Sequence, residues 1–257
     1  HQLWEIIIQE AQVIKQNEPL LGEFIEAAVS AHHDLASAMA ELLSGKLANE
    51  YLPASKLNTL FQDVLSENTI AEKLAFDTHA VMQRDSACHH YFTAFLYNKG
   101  LHALSAWRVA HQLWIKGQHN FALALQNRIS VVFGVDIHPA ATIGQGIMFD
   151  HATGIVIGET AVVENCVSIM QSVTLGGTGK DSGDRHPKVR CGVLIGPGAK
   201  ILGNIEIGEG SKVTAASVVL NDIPPHSLVA GVPATVVGQV AIESPAEQMD
   251  QGLNGCN

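Results

Sequence analysis

From Val135 to Val219 an aliphatic or aromatic residue returns every six positions, followed by small and polar ones. The register runs Ile137, Ile143, Phe149, slips, resumes at Ile157, Val163, Ile169 and Leu175, and after a second break continues through Ile195, Ile201, Ile207, Val213 and Val219. A six-residue period is the mark of a parallel β-helix, in which each hexapeptide supplies one short strand and one corner and three make a coil. The aliphatic residue points inward, and the glycines allow tight corners with positive φ. The expected architecture for this half is a left-handed parallel β-helix, and the breaks in the rhythm mark where chemistry has been inserted.

The preceding residues carry helical patterning. Leu3, Ile6, Ile7 and Ile14 open an amphipathic stretch, Pro19 and Pro53 punctuate boundaries, and Leu57, Leu60, Phe61, Val64 and Leu65 recur at helical spacing. A long apolar segment from Tyr91 to Lys116 is interrupted at Gly100, and the last helix ends before Gly134, a C-cap. The period changes from 3.6 to six at Val135. The expected domains are therefore 1–134 helical and serving oligomerisation, 135–240 solenoid, and 241–257 a flexible polar tail.

Composition narrows the class. The net charge of −10 argues against nucleic acid or an anionic membrane as the main partner. No apolar run is long enough to span a bilayer, and no signal peptide precedes the first helix. The scattered Cys88, Cys166, Cys191 and Cys256 read as free thiols of a cytoplasmic protein. Against the acidic background, Lys180, Arg185, Lys188, Arg190 and Lys200 form a local basic cluster with only Asp181 and Asp184 nearby, suited to a small anionic ligand or to a solvated loop.

Two irregularities hold the candidate chemistry. Phe149 and Ile157 are eight apart, so Asp150-His151-Ala152-Thr153-Gly154 contains two extra residues. Asp136 precedes the inward Ile137, and His151 precedes the inward Ile157 one coil on. Coils stack about 4.8 Å apart, so the two are expected to meet, the carboxylate fixing the imidazole as a general base; the alternative is two ordinary polar corner residues. Leu175 and Ile195 are twenty apart, so a loop projects between them. It carries Arg185, a planar fork suited to a carboxylate, and His186, a second donor. The wide-then-five spacing of His151, His186 and Cys191 resembles that of a three-histidine zinc site, but the last position is Cys and the loop is basic, which argues against zinc.

Val135-Asp-Ile-His-Pro-Ala-Ala, Gly146-Ile-Met-Phe-Asp-His-Ala-Thr-Gly-Ile-Val-Ile-Gly-Glu-Thr-Ala, Ser172-Val-Thr-Leu-Gly-Gly-Thr-Gly-Lys and Gly183-Asp-Arg-His-Pro-Lys resemble segments of bacterial serine O-acetyltransferases, and the likeness runs from Arg84-Asp85 and the helical half to Gly231-Val-Pro-Ala, over nearly the whole chain. The resemblance implies acetyl transfer from acetyl-CoA to L-serine, the first step of cysteine synthesis, with His151 as base and Asp136 as its partner. It implies Asp85 and Asp150 holding the substrate ammonium and Arg185 and His186 its carboxylate. Acetyl-CoA would lie near Gly177, Thr178, Ala199 and Lys212, with no metal required. L-cysteine would inhibit at the serine site, and the assembly would be a homohexamer, a dimer of trimers. Ser86-Ala87 departs from the family's Asp-Pro-Ala. The family's tail ends in an isoleucine that enters cysteine synthase; this sequence ends at Asn257 without it. The rival readings are another hexapeptide acetyltransferase with a different acceptor, or a scaffold that regulates cysteine synthase.

Overall fold

The computed structural model describes residues 2–179 and 182–252; Lys180, Asp181 and Cys256, named above, lie outside the described residues. The helical text folds as α1 (Gln2–Asn17), α2 (Gly22–Ile25, running on as a π-turn through Ser30), α3 (Leu35–Leu47), α4 (Ala54–Leu65), α5 (Asn68–Arg84), α6 (Tyr91–Tyr97), α7 (Lys99–Ile115) and α8 (His119–Phe133). Local chemistry sets several ends. The Asp34 carboxylate caps α3 by accepting from the Ser37 amide at 2.7 Å, and Asn98 caps α7 by accepting from Leu101 at 2.8 Å. Gly134, at φ 67°, closes α8 in the left-handed conformation expected of a C-cap.

Gly100 does not interrupt a helix; the break falls at Asn98, and Gly100 lies in the first turn of α7. Its role is close approach. A Cβ there would sit 2.1 Å from the Phe149 carbonyl oxygen, so only glycine lets α7 lie directly on the first coil.

The solenoid is read coil by coil. The first holds β1 (Val135–Ile137), β2 (Thr142–Ile143) and β3 (Met148–Phe149); the second β4 (Ile155–Ile157), β5 (Val162–Val163) and β6 (Ser168–Ile169). The third holds β7 (Thr174–Gly176), β8 (Lys188–Val189) and β9 (Leu194–Ile195); the fourth β10 (Lys200–Leu202), β11 (Glu206–Ile207) and β12 (Lys212–Val213). A fifth starts with β13 (Val218–Val219), and the antiparallel hairpin β14 (Ser227–Gly231) and β15 (Ala234–Gln239) closes the stack.

Three parallel faces result: β1-β4-β7-β10-β13 on the first, β2-β5-β8-β11 on the second, and β3-β6-β9-β12-β14 on the third, with β15 at its edge. The inward positions superpose in columns. Ile137 pairs with Ile157, Ile157 with Leu175, Leu175 with Ile201 and Ile201 with Val219, all at most 2% exposed. Each such side chain contributes roughly 1.5–3 kcal/mol of burial. The two insertions foreseen in the rhythm fall between β3 and β4 and between β7 and β8.

A buried ion pair joins the two halves. Arg108 of α7 donates to Asp77 of α5 at 2.6 and 2.9 Å and also reaches the Gly144 carbonyl at 2.7 Å. The other Asp77 oxygen accepts from the Ile147 amide at 2.9 Å. Every charge is thus hydrogen-bonded, which burial of such a pair demands.

Part of the segment expected to be a flexible tail is packed. A short helix, α9 (Pro245–Gln248), buries Ala246 completely, and the Ala246 carbonyl accepts from Ser168 Oγ at 2.9 Å. Ser168 in turn accepts from Arg84 at 3.2 Å. A polar, Gly-rich composition does not reveal this docking, because one alanine and backbone carbonyls supply it.

Candidate active site

The two-residue insertion between the third and first faces is absorbed by consecutive left-handed residues, His151 at φ 54° and Ala152 at φ 59°. Such conformations cost about 1–3 kcal/mol each for residues with a Cβ and persist where the surroundings over-determine them. Here Ala152 is fully buried, Thr153 donates to the His151 carbonyl at 2.7 Å, and Gly154 donates to Gly134 at 2.7 Å. Lys99, at the start of α7, holds the Thr153 hydroxyl from the helical side. The turn throws the His151 side chain outward, 72% exposed.

That imidazole borders a cavity of about 380 Å³ between α5, α6, α7 and the corner, lined also by Asp85, Cys88, Tyr97, Lys99 and Asp150. Asp85 ends α5, its carboxylate accepting from the Ala87 amide at 2.9 Å. Burial pushes the Asp150 carboxyl above its ordinary range, His151 opposes this, and the Asp85 charge adds to it. Two carboxylates facing one cavity, one of them resisting ionisation, are relieved by a bound cation of ammonium size.

The second group lies at the opposite edge of the same face, on the corner from the first face to the second. His186 is buried, and its Nδ1 accepts from the Thr160 amide at 3.2 Å and lies 2.8 Å from the Thr160 hydroxyl. That hydroxyl accepts from the backbone amides of Arg185 at 2.9 Å and His186 at 3.1 Å. Burial, then the Arg185 charge, lowers the His186 pKa from its ordinary value, with Glu159 opposing. Gly158 makes room for the ring: a Cβ there would fall 2.0 Å from its Cδ2 and Nε2. The Arg185 guanidinium meets Glu159 at 2.7 Å and the Gly183 carbonyl at 3.0 Å.

Several expected juxtapositions are not formed in the single chain. Asp136 does not reach His151; it pairs in register with Val156 and accepts from Gln126 at 2.7 Å. The carboxylate beside His151 is Asp150, at 3.9 Å. The reason is the insertion itself: the extra residues carry His151 outward at the corner, away from the strand position stacked on Asp136. Asp85, Asp150 and His151 do come together, whereas Arg185 and His186 stand one face-width away. The basic cluster is not a free positive patch either. Lys188 pairs with Asp184 at 2.6 Å, and Arg190 bridges Glu164 and Glu206.

The residues expected around acetyl-CoA are dispersed. Ala199 is buried at the corner from the third face to the first, Gly177 and Thr178 open the loop at the next corner, and Lys212 lies on the third face. Lys212 is only 6% exposed; its ammonium donates to the Gly252 carbonyl and lies 3.7 Å from Asp250, so the C-terminal segment covers it. His151, His186 and Cys191 occupy three different corners, which excludes their sharing a zinc ion within one chain. Among the described residues no group of three His, Cys, Asp or Glu is disposed to hold a metal, and no helix is long and apolar enough to cross a membrane. Gly158, Glu159, Thr160 and Lys99 carry no site signal of their own in the sequence. The first three look like any hexapeptide corner, and the lysine like any helix surface residue.

A family profile described as "Serine acetyltransferase, N-terminal" matches residues 3–106. The serine acetyltransferase of Salmonella typhimurium is 52% identical over 254 residues, covering 98% of this chain and 93% of its own. The solved serine acetyltransferase of Vibrio cholerae superposes with a TM-score of 0.97 at 50% identity, covering 99% of each chain. A serine acetyltransferase in complex with cysteine gives 0.95 at 52% identity over 98% of each chain, and one in complex with CoA gives 0.88 at 51% identity over 92% of this chain and 99% of its own.

Proposed function

The chain belongs to the serine acetyltransferase family, and from that membership we propose that it transfers the acetyl group of acetyl-CoA directly to the hydroxyl of L-serine at a site shared between neighbouring copies. The observation that carries the reading is the Asp85–Asp150 pair in one cavity beside the exposed His151. An amino-acid zwitterion needs anions at one end and hydrogen-bond donors at the other. The carboxylate pair takes the ammonium, and Arg185 with His186 takes the carboxylate.

Since these groups lie at opposite corners of one face, a single copy holds either end of serine but not both. A ring of three solenoids about a common axis brings the Arg185–His186 corner of each copy to the His151 corner of the next, a heterologous contact that closes on itself. Exposed Val156 on that face supports such packing, and exposed Phe24 and Phe76 on the helical half support the joining of two trimers into a hexamer.

In the reaction His151 takes the serine hydroxyl proton as the oxygen attacks the thioester carbonyl. The C–O bond forms, the C–S bond breaks, and the imidazolium returns the proton to the departing thiolate. Asp136 stabilises that imidazolium when the ring turns toward the first face, and the Gly177 amide serves the developing oxyanion. Acetyl-CoA lies between neighbouring copies, where Gly177, Thr178, Ala199 and Lys212 are contributed by different copies, and its contact with Lys212 requires residues 250–252 to leave that side chain. L-cysteine, with the same ammonium and carboxylate as serine, competes at the same clamps, and closure of the loop or tail over the CoA groove weakens acetyl-CoA binding. The thiols of Cys88, Cys166 and Cys191, all free, support a cytoplasmic location.

Thiol release from acetyl-CoA, measured with and without L-serine and across other hydroxyl and amino acceptors, tests the reading. Release should depend on L-serine and fall about 10²–10⁴-fold in kcat for His151→Ala, the usual worth of a general base. Equal turnover with an unrelated acceptor, or an active His151→Ala enzyme, would overturn it.

A further inference from the structure

We infer that Thr160 is a positioning residue for substrate binding: its hydroxyl pins the Arg185–His186 pair and presents His186 as a neutral donor through Nε2–H. The inference rests on the assignment of that pair to the serine carboxylate and deepens it.

The hydrogen-bond inventory of Thr160 carries the argument. Its Oγ1 accepts from the amides of Arg185 at 2.9 Å and His186 at 3.1 Å, so both neighbouring residues hang from one oxygen. With two N–H groups pointing at it, the oxygen's own proton is directed at an acceptor. His186 Nδ1 lies 2.8 Å away, and the Asp184 carboxylate, held by Lys188 at 2.6 Å, is a second acceptor within hydrogen-bond reach of the hydroxyl. Nδ1 also accepts from the Thr160 amide at 3.2 Å. A backbone N–H can only donate, so the nitrogen that receives it cannot carry a proton itself, which places the proton of the neutral ring on Nε2.

The surroundings agree with a neutral ring. His186 is 7% exposed, and the charged or titratable groups facing it are Arg185, Glu159, Lys188 and His138, of which the two fixed cations disfavour an imidazolium. Protonation at Nδ1 would also set N–H against N–H at Thr160. The Cδ2–Nε2 edge, the only one then able to donate, lies against Gly158, where a Cβ would fall 2.0 Å from both atoms. The carboxylate is therefore read by one charged fork and one neutral N–H of fixed direction. A residue whose hydroxyl makes three bonds to hold two others acts through them and touches no reacting atom.

The test joins steady-state kinetics to ¹⁵N-histidine NMR on the full-length enzyme, with His186→Gln identifying the signal. In the wild type, His186 should be the neutral Nε2–H form at and above pH 6.5. Thr160→Val keeps shape and removes the hydroxyl; serine KM should rise roughly tenfold, one hydrogen bond's worth, while kcat at saturating serine changes less than threefold. Thr160→Ser, which restores the oxygen, should return KM to within about threefold of wild type. An imidazolium or a proton on Nδ1 in the wild type overturns the inference without any variant. A Thr160→Val enzyme with wild-type KM, or one whose kcat falls as far as its kcat/KM rather than KM alone rising, also overturns it. In either case, if His186→Gln also leaves serine KM unchanged, the carboxylate assignment has failed as well; if His186→Gln raises it, only the role of Thr160 has.

Discussion

Replacing Gly158 by alanine should damage serine binding, with at most a modest loss of stability. The added Cβ would lie 2.0 Å from Cδ2 and Nε2 of His186 and 2.8 Å from its Cε1. Ordinary contact needs about 3.5 Å or more, so the ring must retreat by more than an ångström. It cannot do so and keep Nδ1 within 2.8 and 3.2 Å of the Thr160 hydroxyl and amide. Loss of two hydrogen bonds costs roughly 1–3 kcal/mol, or about 5–150-fold in kcat/KM for serine if it is felt in substrate binding. The backbone at Gly158 is not left-handed, so alanine introduces no φ strain, and a Gly→Ala change at a compatible site offsets about 0.4–1 kcal/mol through the unfolded chain. The assay is serine-dependent thiol release beside a thermal melt. A variant with wild-type kcat/KM would show that the ring is not placed, or not used, as described.

Three further outcomes follow from burial and charge. Asp85→Asn removes the like charge that helps hold the Asp150 carboxyl high, so the acid limb of kcat/KM for serine should move to lower pH even as KM rises; an unmoved limb would mean that the two carboxyls do not interact. Burial holds the His102 pKa down to about 4, against 6.5 for the free group. Its contribution to stability is complete above pH 6.5 and is lost as pH falls toward 4, by up to about 3 kcal/mol; denaturant melts at pH 7.5 and 5 should show a loss that His102→Gln lacks. Asp77→Ala strands the buried Arg108 guanidinium, 2% exposed, and should cost about 3–5 kcal/mol in urea unfolding; a loss below 1 kcal/mol would mean the pair does not bind the halves together.

The solenoid was legible because its inward column is a simple period: Ile137, Ile157, Leu175, Ile201 and Val219 stack as the rhythm requires. The insertions were legible for the same reason, since any departure from six is visible. What an insertion does to a side chain is not periodic. The left-handed pair His151–Ala152 sends the imidazole outward, and Asp136, placed against it by counting residues, instead bonds to Gln126 of α8. Contacts across halves also leave no local trace. Gly100 reads as a helix breaker until Phe149 is seen lying on it, and Thr160 reads as a corner residue until Arg185 and His186 fold back over it. The docking of Ala246 on the solenoid is equally invisible in a polar tail.

The central claim is that one acceptor site draws His151, Asp85 and Asp150 from one copy and Arg185 and His186 from the next. The most direct measurement mixes two disabled chains, His151→Ala and Arg185→Ala, by co-expression, and compares serine-dependent thiol release with each chain alone. In a closed ring of random composition, roughly a quarter of the interfaces pair an intact His151 corner with an intact Arg185 corner. The mixed assembly should therefore recover about that fraction of wild-type activity, while each chain alone stays near its own residual level. Mixed assemblies no more active than their parents would place the whole site within one chain and contradict the account.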